Sequence, residues 1–387
     1  MAGRMRYPIC IWPDIGSGCN LLSNRSDIYI AYGDTPSQMV KTLLEKMDPL
    51  ANSDRSLRIG IKPNLVVAKP ADSGATTSPE VVEAIIGYLH SRGFRDICVM
   101  ESSWVGEDTD RAFDVCGYTS LAKRTGVELV NLRETPAETV KTNGFSLRVF
   151  SRVLEVDYLI NVPVLKAHCQ TRITCALKNL KGCIPDSEKR RFHRLGLHEP
   201  IARLNTVIKA NLIIVDALCG DLTFEEGGNP VRMDRIIGGV DPVAVDSYCA
   251  RLIGIDPLSV DYIRLAEQLG VGRSEPASVI ELGVPTVRHG GAVVGSIVAG
   301  LLRRVHQRQA CSACLGSLVH ALYRLKESGN RGVLNLDIHI GQGYRGVQID
   351  GLGVGDCARL AAQNVPGCPP RAEDIVRRLQ ELKDVNA

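Results

Sequence analysis

Between Leu57 and Leu269, short apolar runs alternate with amphipathic segments that begin at helix-capping residues, and that alternation leaves few folds open. Leu57–Ile61 reads as a strand stopped by Pro63 and Asn64. Thr77-Ser78-Pro79-Glu80 then opens a helix: Ser78 suits the cap, Pro79 the first turn, and Glu80 the positive end of the dipole. Val81, Val82, Ala84, Ile85, Ile86 and Leu89 give that helix an apolar side, and Asp96–Glu101 reads as the next strand. A strand–helix–strand unit of this length fits a parallel pair joined by a right-handed crossover. Thr119–Thr125 continues the pattern as a helix, and Val127–Leu132, Tyr158–Val162 and Ala210–Val215 as strands. Helices opened by Asp241-Pro242 and by Asp261 follow. The expected fold is α/β, a mostly parallel sheet with flanking helices.

The stretch from Ser274 to Leu302 breaks the pattern, being rich in Gly and Val with Pro276 and Pro285. Residues 1–56 are therefore expected to pack on the main domain, 57–300 to form the α/β domain, and 301–387 to form a smaller α+β module. That module should hold a helix over Cys311–Lys326, a strand over Val333–Ile340 and a closing helix over Gly367–Leu382. Composition narrows the class further: 44% hydrophobic and 23% charged residues exclude disordered and fibrous chains. A net charge of +3 gives no warrant for a nucleic-acid partner, and 5% aromatics suit an enzyme better than an aromatic binding platform. The apolar run Ala292–Leu302 falls far short of the ~20 residues of a membrane helix, and Met1–Gly16 has no signal-peptide core. Neither membrane insertion nor export is expected, and the location implied is cytoplasmic.

Thirteen cysteines are many for a reducing compartment, where clustered thiols more often ligate metal than form disulfides. In the C-terminal module Cys311 and Cys314 make a C-x-x-C pair, Cys357 follows Gly355-Asp356, and Cys368 lies in Gly367-Cys368-Pro369-Pro370. Four thiols on loops and a helix start suit one 4Fe-4S cluster. Glycine beside a ligand lets backbone N–H groups approach the sulfur, and proline fixes the loop without adding a donor. The Gly-Cys-Pro-Pro element resembles the ligand loop in the small cluster-bearing subunits of hydrogenases and of the respiratory NADH dehydrogenase. Tetrahedral zinc on the same thiolates is the alternative, although zinc sites usually use two close C-x-x-C pairs and Cys357 and Cys368 are eleven residues apart. Four unrelated cysteines is the third reading, and it is the one adopted for Cys98, Cys175 and Cys249 in their apolar runs.

A second constellation is polar. Lys62 and Asn64 end the first strand, and Lys166 and His168 follow the strand Tyr158–Val162. Lys178, Asn179, Lys181, Lys189, His193 and His198 crowd the segment that follows. Ligands of open α/β sheets bind at the carboxyl ends of strands, so both groups are expected at one crevice, where lysines pair a carboxylate or phosphate. Any one of these side chains is more often simply solvated; the shared strand-end position is what argues for a site. His168 or His193 would handle protons. Asp241 is expected to cap its helix, and Asp246 to partner a lysine in substrate binding. The acidic, Gly-rich loop Phe224–Pro230 is placed to close over the crevice. Gly341–Gly346 imitates a dinucleotide fingerprint, but no helix follows it, so tight turns around the cysteines are expected instead.

Five stretches together resemble the domain-of-unknown-function 362 family over about residues 57–270: Ile61-Lys62-Pro63-Asn64, Thr77-Ser78-Pro79-Glu80-Val81-Val82, Val162-Pro163-Val164-Leu165-Lys166-Ala167-His168, Ala176-Leu177-Lys178-Asn179-Leu180-Lys181-Gly182 and Asp241-Pro242-Val243-Ala244-Val245-Asp246. The cysteine-bearing tail is similar to an extension found in part of that family. Many relatives instead carry a ferredoxin insert with a C-x-x-C-x-x-C-x-x-x-C run, which this chain lacks. The resemblance implies the fold and an iron–sulfur cofactor, and no reaction. The function expected is an iron–sulfur oxidoreductase or electron-transfer component acting on an anionic small molecule, with a redox partner protein. The alternative is a non-redox protein, of lyase or isomerase type or an assembly or binding factor, in which the cluster or zinc is structural.

Overall fold

The computed structural model describes residues 26–142, 144–223, 225–285, 298 and 300–385. In chain order the first strands are β1 (Ile28–Ala31), β2 (Ile59–Pro63), β3 (Ile97–Glu101), β4 (Glu128–Asn131), the hairpin β5 (Ala137–Thr142) and β6 (Phe145–Phe150), and β7 (Tyr158–Val162). The hairpin β8 (Lys166–His168) and β9 (Arg172–Thr174) follows, then β10 (Leu212–Asp221), β11 (Pro230–Gly239) and β12 (Val279–Leu282). Eight of these form one sheet in the order β12-β1-β11-β10-β7-β2-β3-β4. Neighbours are parallel except where β11 pairs with β1 and β10. The mostly parallel sheet is thus present, and it also takes in β1 from the segment before residue 57 and β12 from beyond residue 270. β10 runs past the expected Val215 to Asp221, with its register shifted between Ala217 and Cys219.

Local chemistry explains the helices that cover it. Ser78 accepts a hydrogen bond from the Glu80 amide at 3.2 Å and Pro79 opens the helix Pro79–Ser91, which buries Val81, Val82, Ile85, Ile86 and Leu89. Asp241 does the same for Pro242–Leu252, accepting from the Val243 and Ala244 amides. Strand side chains alternate between the sheet's two faces: Leu159 enters one core, and Ile160 and Val162 the other. From β2 the chain steps outward through β3 to β4, then returns on the opposite side of β2 as β7 and β10. The order reverses between β2 and β7, which opens a crevice at their carboxyl ends.

A second sheet is built from β13 (Val305–Gln307), β14 (Ile338–Ile340), β15 (Ile349–Val354) and β16 (Ala361–Val365), side by side in that order and all parallel. The helices Ser312–Glu327 and Ala372–Val385 pack on it, and Leu318, Leu322, Ile338, Ile340, Ile375 and Leu379 share a core of their own. The expected strand Val333–Ile340 is only partly formed. A 3-10 turn occupies Arg331–Asn335, because Asn330 and Val333 carbonyls take the amides three residues on. The last helix begins at Ala372 rather than Gly367, since Gly367 has a left-handed φ of 126° and Pro369 and Pro370 have no amide to donate. Among the described residues no helix is long and apolar enough to cross a membrane.

Candidate functional site

In a parallel sheet every strand ends at the same edge, so the residues just after the strands are gathered without being close in sequence. The large sheet presents Lys62 and Asn64 after β2 and Glu101 to Val105 after β3; the small sheet presents Cys311, Gln342, Cys357 and Cys368 after β13, β14, β15 and β16. The two edges face one cavity of about 390 Å³, and all of these residues line it. Helix Asp186–Leu195 contributes Lys189, Arg190, His193 and Arg194 to the wall, and the loop after β10 contributes Glu225 and Glu226.

The floor of this cavity is a closed network of pairs. Lys62 Nζ donates to Glu101 Oε2 at 2.8 Å and to the Pro63 carbonyl at 2.6 Å, and both side chains are almost fully buried. Glu101 also accepts from the Leu65 and Ser102 amides, 2.8 and 2.7 Å away. Asn179 Oδ1 accepts from Asn64 at 2.9 Å, while its amide nitrogen donates to Asn161 at 2.7 Å. Gly182 is required here, because a Cβ at that position would lie 2.2 Å from Glu101 Oε1 and 2.6 Å from Lys62 Nζ. Lys178 pairs with Glu225 Oε1, and His168 Nε2 lies 2.8 Å from Glu225 Oε2.

His168 Nδ1 accepts two amides, from Gln170 at 3.1 Å and Thr171 at 3.0 Å, so its proton sits on Nε2 and is donated to Glu225. Burial brings its pKa down to about 4, which keeps the ring neutral at physiological pH. Burial would raise the Glu225 carboxyl, but His168, Lys178 and Lys166 outweigh it and hold the group well below the carboxylate range.

The remaining cations are not neutralised in this way. Lys181 has His193 Nε2 as its neighbour at 3.4 Å. Burial, with Lys178 and Lys189 close by, lowers the Lys181 ammonium to about 7. Burial and the charge of Lys181 press His193 down to about 2, and its buried Nδ1 has no hydrogen-bond partner. Lys189 is lowered to about 8 by burial, against the pull of Asp186 and Glu101, and donates to the Ser102 and Ser103 carbonyls at 3.0 and 2.6 Å. Among the described residues, Lys181, Arg190 and Arg194 line the cavity without forming an ion pair with any carboxylate. The wall therefore has a neutralised floor and an unneutralised cationic rim.

The opposite wall carries the thiols. Cys311 caps helix Ser312–Glu327, and its sulfur takes a hydrogen bond from Gln342 Nε2 at 3.4 Å. Arg345 Nε lies 3.3 Å from Cys357 Sγ. The Cys314 thiol is hydrogen-bonded to Cys311, which lowers the Cys311 pKa and raises that of Cys314. Cys357 and Cys368 are near enough to Cys314 to act on its charge. Gly355 turns the chain beside Cys314 at a left-handed φ of 89°, which glycine adopts without strain. Among the described residues no three His, Cys, Asp or Glu side chains are arranged to hold a single metal ion as they stand.

Of the residues singled out in the sequence, Lys62, Asn64, Lys178, Asn179, Lys181, His193 and all four cysteines meet at this cavity. Lys166 and His168 stand behind its wall. The Lys166 ammonium is sealed by Asn64 Oδ1 and the Ala75 and Glu225 carbonyls, at 3.1, 2.6 and 3.0 Å. Asp246 is fully buried elsewhere, and its partners are the Ala176 and Leu177 amides rather than a lysine. Unsatisfied amides at a helix start outcompete a distant ammonium for that carboxylate. His198 accepts from the Tyr262 amide and stacks on that ring, away from the cavity. In the acidic loop, Phe224 lies outside the described residues; Glu225 and Glu226 line the wall. Sequence reading passed over Glu101, Trp104 and a fifth lining thiol, Cys169. Glu101 carried the same signal as Lys62, a charge ending an apolar strand.

Over 246 residues the chain is 26% identical to a thylakoid-associated protein from Synechocystis sp., an alignment covering 60% of this chain and 74% of that protein. Among solved structures, the lactate racemase apoprotein from Thermoanaerobacterium thermosaccharolyticum aligns with a TM-score of 0.39 and 13% identity, over 60% of this chain and 58% of that one. A protein from Thermotoga maritima aligns with a TM-score of 0.36 and 14% identity, over 61% and 60%. The chain thus spans less than two thirds of either structure. Residues 59–251, which carry β2 to β11 and the whole neutralised floor, match the family described as Domain of unknown function (DUF362), and the chain belongs to that family.

Proposed function

We propose that this chain is an iron–sulfur protein that binds an anionic small molecule between its two sheet edges and exchanges electrons there, drawing them from or passing them to a redox partner protein. The observation that carries the reading is the shared cavity: four cysteines on one wall and an unneutralised cationic rim on the other. The donor set fits a cluster, because the thiol wall offers four cysteine sulfurs lining one cavity. Cys311, Cys314, Cys357 and Cys368 would be the ligands, with Gln342 and Arg345 donating to two of the sulfurs. When bound, such a cluster supplies one-electron transfer. The remaining work falls to the chain's own residues. Lys181, Arg190 and Arg194 attract and orient the anion. Glu101 and Glu225 keep Lys62 and Lys178 from competing for it. Lys181 Nζ, lowered to about 7, is the group on this wall that can hold or release a proton near neutral pH, and His193, which stays neutral, lies beside it at 3.4 Å. His168 acts only through Glu225, as a positioning residue.

Anaerobic purification followed by iron and acid-labile sulfide counts tests this reading, with spectra before and after reduction. About four iron and four sulfide per chain are expected, and their loss in Cys311→Ser and Cys368→Ser. Zinc in place of iron, or no metal in freshly prepared protein, would overturn it.

A further inference from the structure

Charge alone does not account for the cavity lining, because Val66, Trp104 and Val105, brought together where the Trp104 amide meets the Val66 carbonyl, add an apolar strip from the large sheet's edge. Trp104 is only half-buried, although the rest of β3 and its start of loop, from Ile97 to Ser103, is buried. The loop that carries it is fixed by hydrogen bonds. The Trp104 amide donates to the Val66 carbonyl at 3.1 Å, and its carbonyl accepts from Arg133 at 2.6 Å and from the Glu107 amide at 3.2 Å. One residue earlier, Ser103 Oγ donates to the Leu65 carbonyl at 2.7 Å. The backbone that carries the indole is thereby fixed, directly after the Ser102 and Ser103 carbonyls that take the Lys189 ammonium.

Resting on the anion-binding reading above, we infer that the ligand is a small aromatic carboxylate, its ring on Trp104 and its carboxylate on Lys181, Arg190 and Arg194. A bare anion such as acetate would use the cations and leave the apolar strip wet. Pockets of this size take most of their affinity from apolar and aromatic walls, and use a few polar groups for orientation. A half-buried indole on a loop whose backbone is already hydrogen-bonded offers such a wall with little of the loop left to order. The planar forks of Arg190 and Arg194 match a planar carboxylate, and the Gly-rich loop on this wall brings the carboxylates Glu225 and Glu226, which disfavour a multiply charged phosphate.

The chain has two tryptophans, so Trp12→Phe leaves Trp104 as its one indole reporter. Benzoate, acetate, inorganic phosphate and benzamide would each be titrated into that variant, purified anaerobically, with emission and calorimetry as readouts. Benzoate is expected to change Trp104 emission saturably and to bind at least about tenfold more tightly than the other three. Two variants of the wild-type chain, each confirmed as folded by circular dichroism and thermal melting, divide the contributions. Trp104→Leu should bring benzoate to the level of acetate, and the double variant Arg190→Gln/Arg194→Gln should bring it to the level of benzamide. The inference is overturned if benzoate leaves the emission unchanged, or if acetate, phosphate or benzamide binds as well as benzoate does. Iron and sulfide counts on the same samples judge the cluster separately, so a failed ligand and a failed cluster are told apart.

Discussion

Gly182 sets the tightest tolerance in the basic wall. Its missing side chain makes room for Glu101 Oε1 and Lys62 Nζ, both within 2.6 Å of the position a Cβ would take. Gly182→Ala must push a buried ion pair apart, and is expected to cost about 1–3 kcal/mol in urea unfolding. Lys181 is the side chain through which pH should speak. Its ammonium is lowered to about 7, chiefly by burial, so it is charged below that pH and neutral above. Affinity for an anion should therefore fall by up to roughly tenfold between pH 6 and 8.5, and Lys181→Gln should flatten that profile in calorimetric titrations. Stability runs the other way in the next window. From about 7 up to the ordinary lysine value of 10.5, the unfolded chain holds a proton that the folded chain lacks, so this residue adds stability as pH rises.

At the scale of elements, capping chemistry was plain in the sequence because it is local. Ser78 and Pro79, and Asp241 and Pro242, start the helices they were expected to start. Strand ends are legible for the same reason: Lys62 and Asn64 reach the crevice as their strand end implies, whereas Lys166 and His168, expected beside them, stand behind its wall. What was not legible depends on which elements touch. Asp246 satisfies amides seventy residues away, Lys166 is sealed by a loop from beyond β10, and Trp104 matters only because a second sheet stands opposite it. Val333–Ile340 misled because Asn330 and Asn335 bracket a turn that outcompetes a short strand. Helix Pro79–Ser91 also contains a control for Gly182. Gly87 lies in the same helix with no atom within 4 Å of a built Cβ. Gly87→Ala should raise the urea midpoint, adding about 0.5–1 kcal/mol.

The described residues form separate hydrophobic cores: two against the faces of the large sheet, one between the small sheet and its helices, and a minor cluster of Tyr344, Ile349 and Ala358 beside the small sheet. Calorimetry is expected to resolve two transitions, with Cys368→Ser lowering the one that belongs to residues 301–385 and leaving the other in place; a single transition shifted as a unit would count against independent cores. The cavity lies where these bodies meet, so its walls answer to different parts of the chain. Residues 59–251, the span of the family match, build the floor of paired charges and none of the four thiols. Kinship measured over that span is kinship of one wall. A chain can therefore match the family over its full span and still differ in everything that stands across the gap, because the opposite wall, with all four thiols, lies outside the matched residues.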